Sequence, residues 1–278
     1  MRVAQSSLTD AVVGWPVIMA SLSLVALAVV LAWWLGVGIG RDLITASVRA
    51  AVQLLGVGFV FATAFGSAHA MVWAWMWVVG MVGVATTVVA RRTGHPIRGL
   101  VVVAGSVVGL AALISIGVTF GLGVIDYEAV SLVVITGITI GNAVPSAVLG
   151  VNQSVARCRD GVGEIEGLLS LGMDRRQVVR FLAPRAATAS LIPQIERTKV
   201  VGLIALPGAM TGLLLAGVDP VQAVAVQLLV MYLILGTTAV CVVSVVAVIH
   251  RAALTDDLRV ATWVRLEDLE RRVSGTTR

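Results

Sequence analysis

The sequence predicts an all-α, polytopic integral membrane protein with about seven transmembrane helices, and three observations support this class. Hydrophobic residues make up 58% of the 278 residues, and charged residues make up only 13%. The apolar residues form runs of about 20, which is the length that crosses a hydrocarbon core about 30 Å thick. Basic residues gather at alternate ends of these runs.

Five predicted spans are continuous apolar runs, and two are interrupted by polar residues, proline and glycine. The continuous spans are Val12 to Leu35, Met71 to Ala90, Leu100 to Gly123, Ala129 to Val151 and Val221 to Ile249. The interrupted spans are Ile44 to Phe65, which contains Arg49 and Gln53, and Val200 to Gly217, which contains Pro207.

The distribution of basic residues predicts the orientation. One side of the predicted membrane carries Arg41, Arg91, Arg92, Arg98, Arg157, Arg159, Arg175, Arg176, Arg180, Arg185, Arg197, Lys199 and Arg251. The other side carries only Arg2. The positive-inside rule therefore places the amino terminus outside and the carboxyl terminus in the cytoplasm of a bacterial inner membrane. The net charge of +5 reflects this bias and contact with anionic lipid, and it does not indicate nucleic-acid binding.

Residues 1–251 are predicted to form one transmembrane domain, and residues 252–278 a cytoplasmic amphipathic helix. This tail helix would lie on the membrane surface or on a second copy of the chain, with contact to a partner protein as the less favoured alternative.

Residues 152–199 interrupt the apolar pattern and predict a bent helical hairpin on the cytoplasmic side. Glu164 and Glu166 occupy a first helical turn, Gly172 bends the helix, and Pro184 is expected to end it. A second short helix is expected to start just before Arg175. This segment is too polar to enter lipid, so it is suited to contact a soluble partner.

The order of Glu166, Gly172 and Pro184 resembles the EAA loop of ABC transporter permeases, which docks in a groove of the ATPase subunit. A closer resemblance covers nearly the whole chain and includes the long motif at 202–212. Its motifs are Ser47 to Leu55, Gly141-Asn142-Ala143, Leu169 to Gly172, Leu191 to Pro193, Gly202 to Gly212 and Ala216 to Pro220. In these motifs the chain resembles the FetB-type (YbbM group) iron-export permease family.

This resemblance implies a permease that works as a homodimer with a separate ABC ATPase subunit, which would bind ATP and Mg²⁺. Glu164, Glu166, Gly172, Arg175 and Pro184 would then be the residues that couple the permease to the ATPase. The chain itself lacks a P-loop, since its one lysine, Lys199, is followed by Val200 rather than Ser or Thr. We therefore expect no ATPase site, no catalytic residues and no cofactor in this chain.

Arg49 and Gln53 lie one helical turn apart in the second predicted span. An ionisable side chain at membrane depth indicates a functional site, and an inward polar stripe would suit an anionic solute. The alternative is that Arg49 extends back to the headgroups, which lie about 8–10 Å away.

Two predicted helix breaks complete the candidate substrate path. Asn142 and Pro145 lie in the middle of the fifth span, where either the asparagine satisfies a proline kink or it contacts substrate. Pro207 and Gly208 interrupt the sixth span and are followed by Met210 and Thr211. Broken helices in transporters often mark binding sites or hinges.

Three functions compete on this sequence. The first is the permease subunit of an ABC transporter that exports iron or a related substrate, and the second is an ATP-independent carrier or channel for a small polar or anionic solute. The third, a membrane enzyme, would need paired carboxylates or a histidine cluster, and neither pattern is found. No spacing typical of a metal site is found either.

Overall fold

The computed structural model describes residues 15–264, except 65, 68, 92–98, 124 and 256. Within this part of the chain there are nine helices and two isolated β-bridges. The helices are α1 Trp15–Trp34, α2 Gly40–Ala64, α3 Ala70–Arg91, α4 Leu100–Gly121, α5 Ala129–Asp160, α6 Val162–Ser170, α7 Arg175–Lys199, α8 Gly208–Leu215 and α9 Pro220–Ala252. The chain divides into two compact units, Met1–Ala70 and Met71–Arg278.

The prediction of an all-α protein with several membrane spans is confirmed, but the number seven is not. Over the described residues, five helices are long and apolar enough to cross a membrane: Gly40–Thr63, Ala70–Arg91, Leu100–Gly121, Ala129–Asp160 and Pro220–Ala252. The first predicted span has a shorter apolar helix, Met19–Trp34, and its residues before 15 lie outside the described part. The predicted orientation of the termini stays a prediction.

The sixth predicted span, Val200 to Gly217, does not form one long helix. Gly202 has a φ of 87°, and Val201 forms an isolated bridge with Ala205. Helix α8 then covers only eight residues, or about 12 Å, which is too short to cross a membrane. The apolar composition of this segment had suggested a span, but its glycine and proline residues break the helix.

The first unit contains α1 and α2, two helices that pack together. Gly36 and Gly38 lie in the connection between them with φ values of 66° and 74°. Glycine adopts this left-handed conformation without steric cost, so the chain can reverse within a few residues.

Helices α5 and α9 form the centre of the second unit and run parallel to each other. Near their beginnings, Ile135 belongs to a buried cluster with Val230 and Ile234. Near their ends, Val151 shares a cluster with Val245 and Ile249. Helix α4 adds Leu100, Ala104, Val107 and Ala111 to this second cluster, and α3 adds Val89.

Helix α7 runs back along α5 in the opposite direction. Val178 near its start packs with Cys158 near the end of α5, and Arg197 near its end reaches Asn142 in the middle of α5. The prediction that Pro184 ends the helix was wrong, because α7 continues through Pro184 and Pro193. A proline inside a helix costs about 3 kcal/mol, and burial of one face of α7 offsets this cost. The buried residues of that face are Val178, Val179, Leu182, Ala186, Ser190 and Gln194.

Helix α5 extends to Asp160, well beyond the predicted span, and α6 follows after a single residue. The bend at Gly172 is confirmed, with a φ of 82°. Asp174 then caps α7, since its carboxylate accepts a 2.8 Å hydrogen bond from the Gln177 backbone and its own N–H donates to the Gln177 side chain. The segment from α6 through the first half of α7 is called the cytoplasmic hairpin below, after its predicted location.

The chain that follows α9 packs onto this hairpin and does not continue as a helix from residue 252. Helix α9 ends at Ala252, and Leu254 pairs with Val260 across a turn. Leu254, Val260 and Val264 are buried in a cluster with Ile165 and Val178. The rest of the predicted tail helix, residues 265–278, lies outside the described residues.

Candidate functional site

A cleft of about 310 Å³ lies between α5, α7, α9 and the segment that leads into α8. Its polar lining residues are Asn142, Gln194, Arg197 and Gln227. The other lining residues are Ile138, Val201, Ala205, Leu206, Pro207, Gly208, Ala209, Val230, Met231 and Ile234. The cleft thus combines one guanidinium and three amides with apolar walls.

Asn142 and Arg197 form the polar centre of the cleft. Arg197 Nη1 donates a 2.9 Å hydrogen bond to Asn142 Oδ1, and Asn142 Nδ2 donates a 2.7 Å bond to the carbonyl of Ile138. Pro145 has no N–H for the carbonyl of Gly141. The side-chain amide of Asn142 bonds the carbonyl of Ile138, three residues earlier, so it does not satisfy the carbonyl that the proline leaves free. Asn142 therefore orients Arg197, and α5 continues through Pro145 as a single helix.

Gln194 and Gln227 are both buried, with exposures of 6% and 7%. The side-chain oxygen of Gln227 is buried and accepts no hydrogen bond from the described residues. Leaving a buried amide oxygen without a donor costs about 1–3 kcal/mol. A solute that donates a hydrogen bond at this position would remove that cost, so Gln227 is a candidate binding residue.

The break before α8 forms one wall of the cleft. Pro207 has extended backbone angles, with φ of −64° and ψ of 144°, and α8 begins at Gly208. Met210 and Thr211 lie in the first turn of α8, and neither is among the lining residues. The hydroxyl of Thr211 donates to the carbonyl of Pro207 at 3.1 Å, which stabilises the helix start.

A second cavity, of about 370 Å³, adjoins the cleft and shares Ile138, Ala209 and Val230 with it. It lies between α5, α8 and α9, and Ser131 is its one polar lining residue within the described part of the chain. A solute in the polar cleft therefore has an apolar compartment beside it along α5.

Arg49 and Gln53 lie on α2 in the first unit, where both side chains are exposed. The two interpretations of this pair, an inward polar stripe or extension to the headgroups, therefore stay open. The structure brings together Asn142, Pro207 and Gly208 from the predicted path.

Two of the predicted coupling residues hold the hairpin in place. Glu164 accepts a 2.6 Å hydrogen bond from Arg157 at the end of α5, and Arg185 lies 3.9 Å from its other oxygen. Arg175 donates to the carbonyls of Arg251 and Leu254 at 2.8 and 2.6 Å, and so caps the carboxyl end of α9.

The other predicted coupling residues lie on the exposed side of the hairpin. Glu166, Gly172 and Pro184 are exposed, and Leu171 at the tip is 81% exposed.

We expect Arg175→Ala to lower the free energy of unfolding by about 1–3 kcal/mol, because the last carbonyls of α9 lose a charged donor. Thermal unfolding in a neutral detergent without phospholipid measures this effect. Arg176→Ala is the matched control, since the neighbouring arginine donates no hydrogen bond within the described residues, and we expect a change within about 0.5 kcal/mol. Equal melting temperatures for the two variants would show that the cap is unimportant.

Sequence reasoning missed Gln194, Arg197 and Gln227. It assigned Arg197 to a cytoplasmic segment by charge, whereas the structure places this side chain against the middle of α5. Gln227 could have been found as an amide well inside the apolar sequence of α9, since the other amide of this helix, Gln222, lies in its first turn.

Over the described residues, no group of three or more His, Cys, Asp or Glu side chains lies close enough to hold a metal ion.

The apolar helices around an internal polar cleft define a multi-pass membrane protein. The chain belongs to the family described as "Uncharacterised protein family (UPF0014)", whose model matches residues 15–254.

Curated relatives agree with this membership. The chain is 34% identical to UPF0014 membrane protein YjkA of Bacillus subtilis, over 80% of this chain and 90% of that protein. It is 32% identical to UPF0014 membrane protein STAR2 of rice, over 80% of this chain and 77% of that protein. It is 28% identical to the Escherichia coli protein named "Probable iron export permease protein FetB", over 79% of this chain and 84% of that protein. The resemblance to the FetB-type family is thereby confirmed, and no solved structure matches the chain.

Proposed function

We propose that this chain is the permease subunit of an ABC transporter in a bacterial inner membrane. It works as a homodimer with a separate ATPase subunit and exports iron or a related substrate. The relative named as an iron export permease supports the transport role. The ATPase partner and the homodimer rest on the resemblance of the motifs.

One observation carries this proposal: α7 connects the hairpin directly to the cleft. Its first residue, Arg175, binds the end of α9, and near its last residue Arg197 binds Asn142 in the cleft. Helix α7 has 25 residues, is about 37 Å long and is continuous through Pro184 and Pro193. A displacement of the hairpin by a docked ATPase would therefore move Arg197 relative to α5.

The exposed side of the hairpin is the proposed docking surface for the ATPase. It consists of Glu166, Leu171, Gly172 and Pro184, all exposed. Glu164 and Arg175 instead position this surface by their bonds to α5 and α9.

The cleft favours an anionic substrate. The guanidinium of Arg197 pairs well with carboxylate or phosphate and repels a bare cation, while the amides of Asn142, Gln194 and Gln227 supply further polar contacts. Iron would accordingly cross as an anionic complex with an organic acid.

Substrate-stimulated ATPase activity of the assembled complex in nanodiscs tests this proposal. We expect ferric citrate to stimulate the ATPase and free ferrous ion to have little effect. Stimulation by free ferrous ion alone would contradict the anionic substrate but leave the permease role intact. If neither ferric citrate nor ferrous ion changes the ATPase activity, and transport proceeds without ATP, the results would favour the ATP-independent carrier.

A further inference from the structure

A depression of about 260 Å³ lies where the start of α7 meets the end of α9, and its lining residues are Arg175, Arg176 and Arg251. A second depression of about 200 Å³ shares Arg176 and Arg251 and adds Val179 and Arg180. Together they are called the arginine pocket. It is separate from the substrate cleft, which lies near the other end of α7.

Three arginines of the pocket, Arg176, Arg180 and Arg251, carry charges that no carboxylate of the described residues pairs with. Arg175 donates to backbone carbonyls of the α9 end. Arg176, Arg180 and Arg251 form no ion pair with another described residue, whereas the nearby Arg157 and Arg185 both pair with Glu164. Guanidinium groups that share one depression repel each other, so an anion bound between them would be stabilised.

The geometry brings these arginines together from two helices. Arg176 and Arg180 lie one turn apart on α7, and Arg251 lies in the last turn of α9. The bonds from Arg175 to the carbonyls of Arg251 and Leu254 hold the two helices at this distance. The pocket is thus built into the fold and does not depend on a single flexible side chain.

The position of Arg251 indicates the source of the anion. Helix α9 is long and apolar enough to cross the membrane, and Arg251 is in its last turn. The end of such a helix lies near the lipid headgroups, where basic pockets bind anionic lipids. Arg251 itself is exposed in the structure.

We propose that the arginine pocket binds the phosphate of an anionic phospholipid headgroup. Guanidinium and phosphate form paired, charge-assisted hydrogen bonds, which suits a site lined by Arg176, Arg180 and Arg251. A bound headgroup links the first turns of α7 to the end of α9. The lipid therefore braces the hairpin that Arg175 already ties to α9.

Lipid binding by the purified full chain tests this inference, with native mass spectrometry and thermal unfolding as readouts. We expect phosphatidylglycerol to bind and raise the melting temperature in neutral detergent, while phosphatidylcholine has little effect. The combined variant Arg176→Gln, Arg180→Gln and Arg251→Gln should weaken phosphatidylglycerol binding at least about tenfold, because charged hydrogen bonds are lost.

Two controls keep this test decisive. Arg185→Gln removes an exposed arginine of the same helix that does not line the pocket, and it should bind phosphatidylglycerol like the unaltered chain. Arg180→Gln alone serves as a milder variant if the combined variant unfolds, and we expect it to weaken binding severalfold.

Three results would overturn the inference. One is equal phosphatidylglycerol binding by the combined variant and the unaltered chain. Another is equal stabilisation by inorganic phosphate, which would identify a free anion as the ligand. The third is loss of a co-purified ATPase in the combined variant with lipid binding unchanged, which would assign the pocket to the protein partner.

Discussion

Arg197→Gln is expected to reduce substrate transport by at least about tenfold while the protein still folds. The variant removes the one positive charge that lines the cleft in the described residues and its 2.9 Å hydrogen bond to Asn142. The loss of a charged hydrogen bond to an anionic substrate corresponds to about 1.5–3 kcal/mol. Uptake of a radiolabelled iron complex into inverted vesicles measures the effect.

Lys199→Gln is the matched control for Arg197→Gln. Lys199 lies two residues further along α7, pairs with Glu196 at 2.8 Å and does not line the cleft. Its loss removes the same charge from the same end of the helix, so transport should stay close to normal. If both variants lose transport equally, transport depends on the positive charge at this end of α7 and not on Arg197 in particular. The cleft would then not be the binding site.

Gly172→Val is expected to abolish stimulation of the ATPase by substrate, with the transmembrane helices intact. Gly172 has a φ of 82°, and a β-branched residue in this conformation costs about 1–3 kcal/mol. Apart from the two chain neighbours of Gly172, no heavy atom of the described residues lies within 4 Å of a Cβ placed there, so the cost arises from the backbone and not from a clash. The valine would instead shift the tip of the hairpin, including Leu171 on the docking surface.

Gly172→Asn separates backbone strain from side-chain size, because asparagine tolerates the left-handed conformation. We expect this variant to keep most of the stimulated ATPase activity, with circular dichroism confirming helix content in both variants. Normal stimulation in Gly172→Val would refute a coupling role for the bend.

Much of the fold could be predicted from apolar runs alone. The predicted spans Leu100 to Gly123 and Ala129 to Val151 begin at the same residues as α4 and α5. Their ends were harder to predict, since α5 continues to Asp160 by packing on α7 rather than in lipid. Hydropathy identifies segments that are apolar enough to lie in lipid, but it does not predict the residue at which a helix ends.

Local rules failed where long-range packing decides the structure. Pro184 was expected to end a helix, but burial of Val178, Leu182 and Ala186 keeps α7 intact past it. The contact of Arg197 with Asn142 was not predicted, because it depends on α7 folding back along α5, whereas the positive-inside rule only counts charges along the chain.

The candidate site was predicted in parts. Asn142 was identified because an amide is unusual within an apolar span. Pro207 and Gly208 were identified because adjacent proline and glycine residues break a helix. That these positions line one cleft could not be predicted, because it depends on α5, α7 and α9 packing together.

The most direct test of the central claim is whether transport requires a separate ATPase chain. The chain would be affinity-purified from the membranes of its own cells, co-purified chains identified, and the complex reconstituted in proteoliposomes. We predict a P-loop ATPase in stoichiometric amount and movement of the iron complex that requires hydrolysable ATP. Transport at full rate by this chain alone, without ATP, would contradict the account.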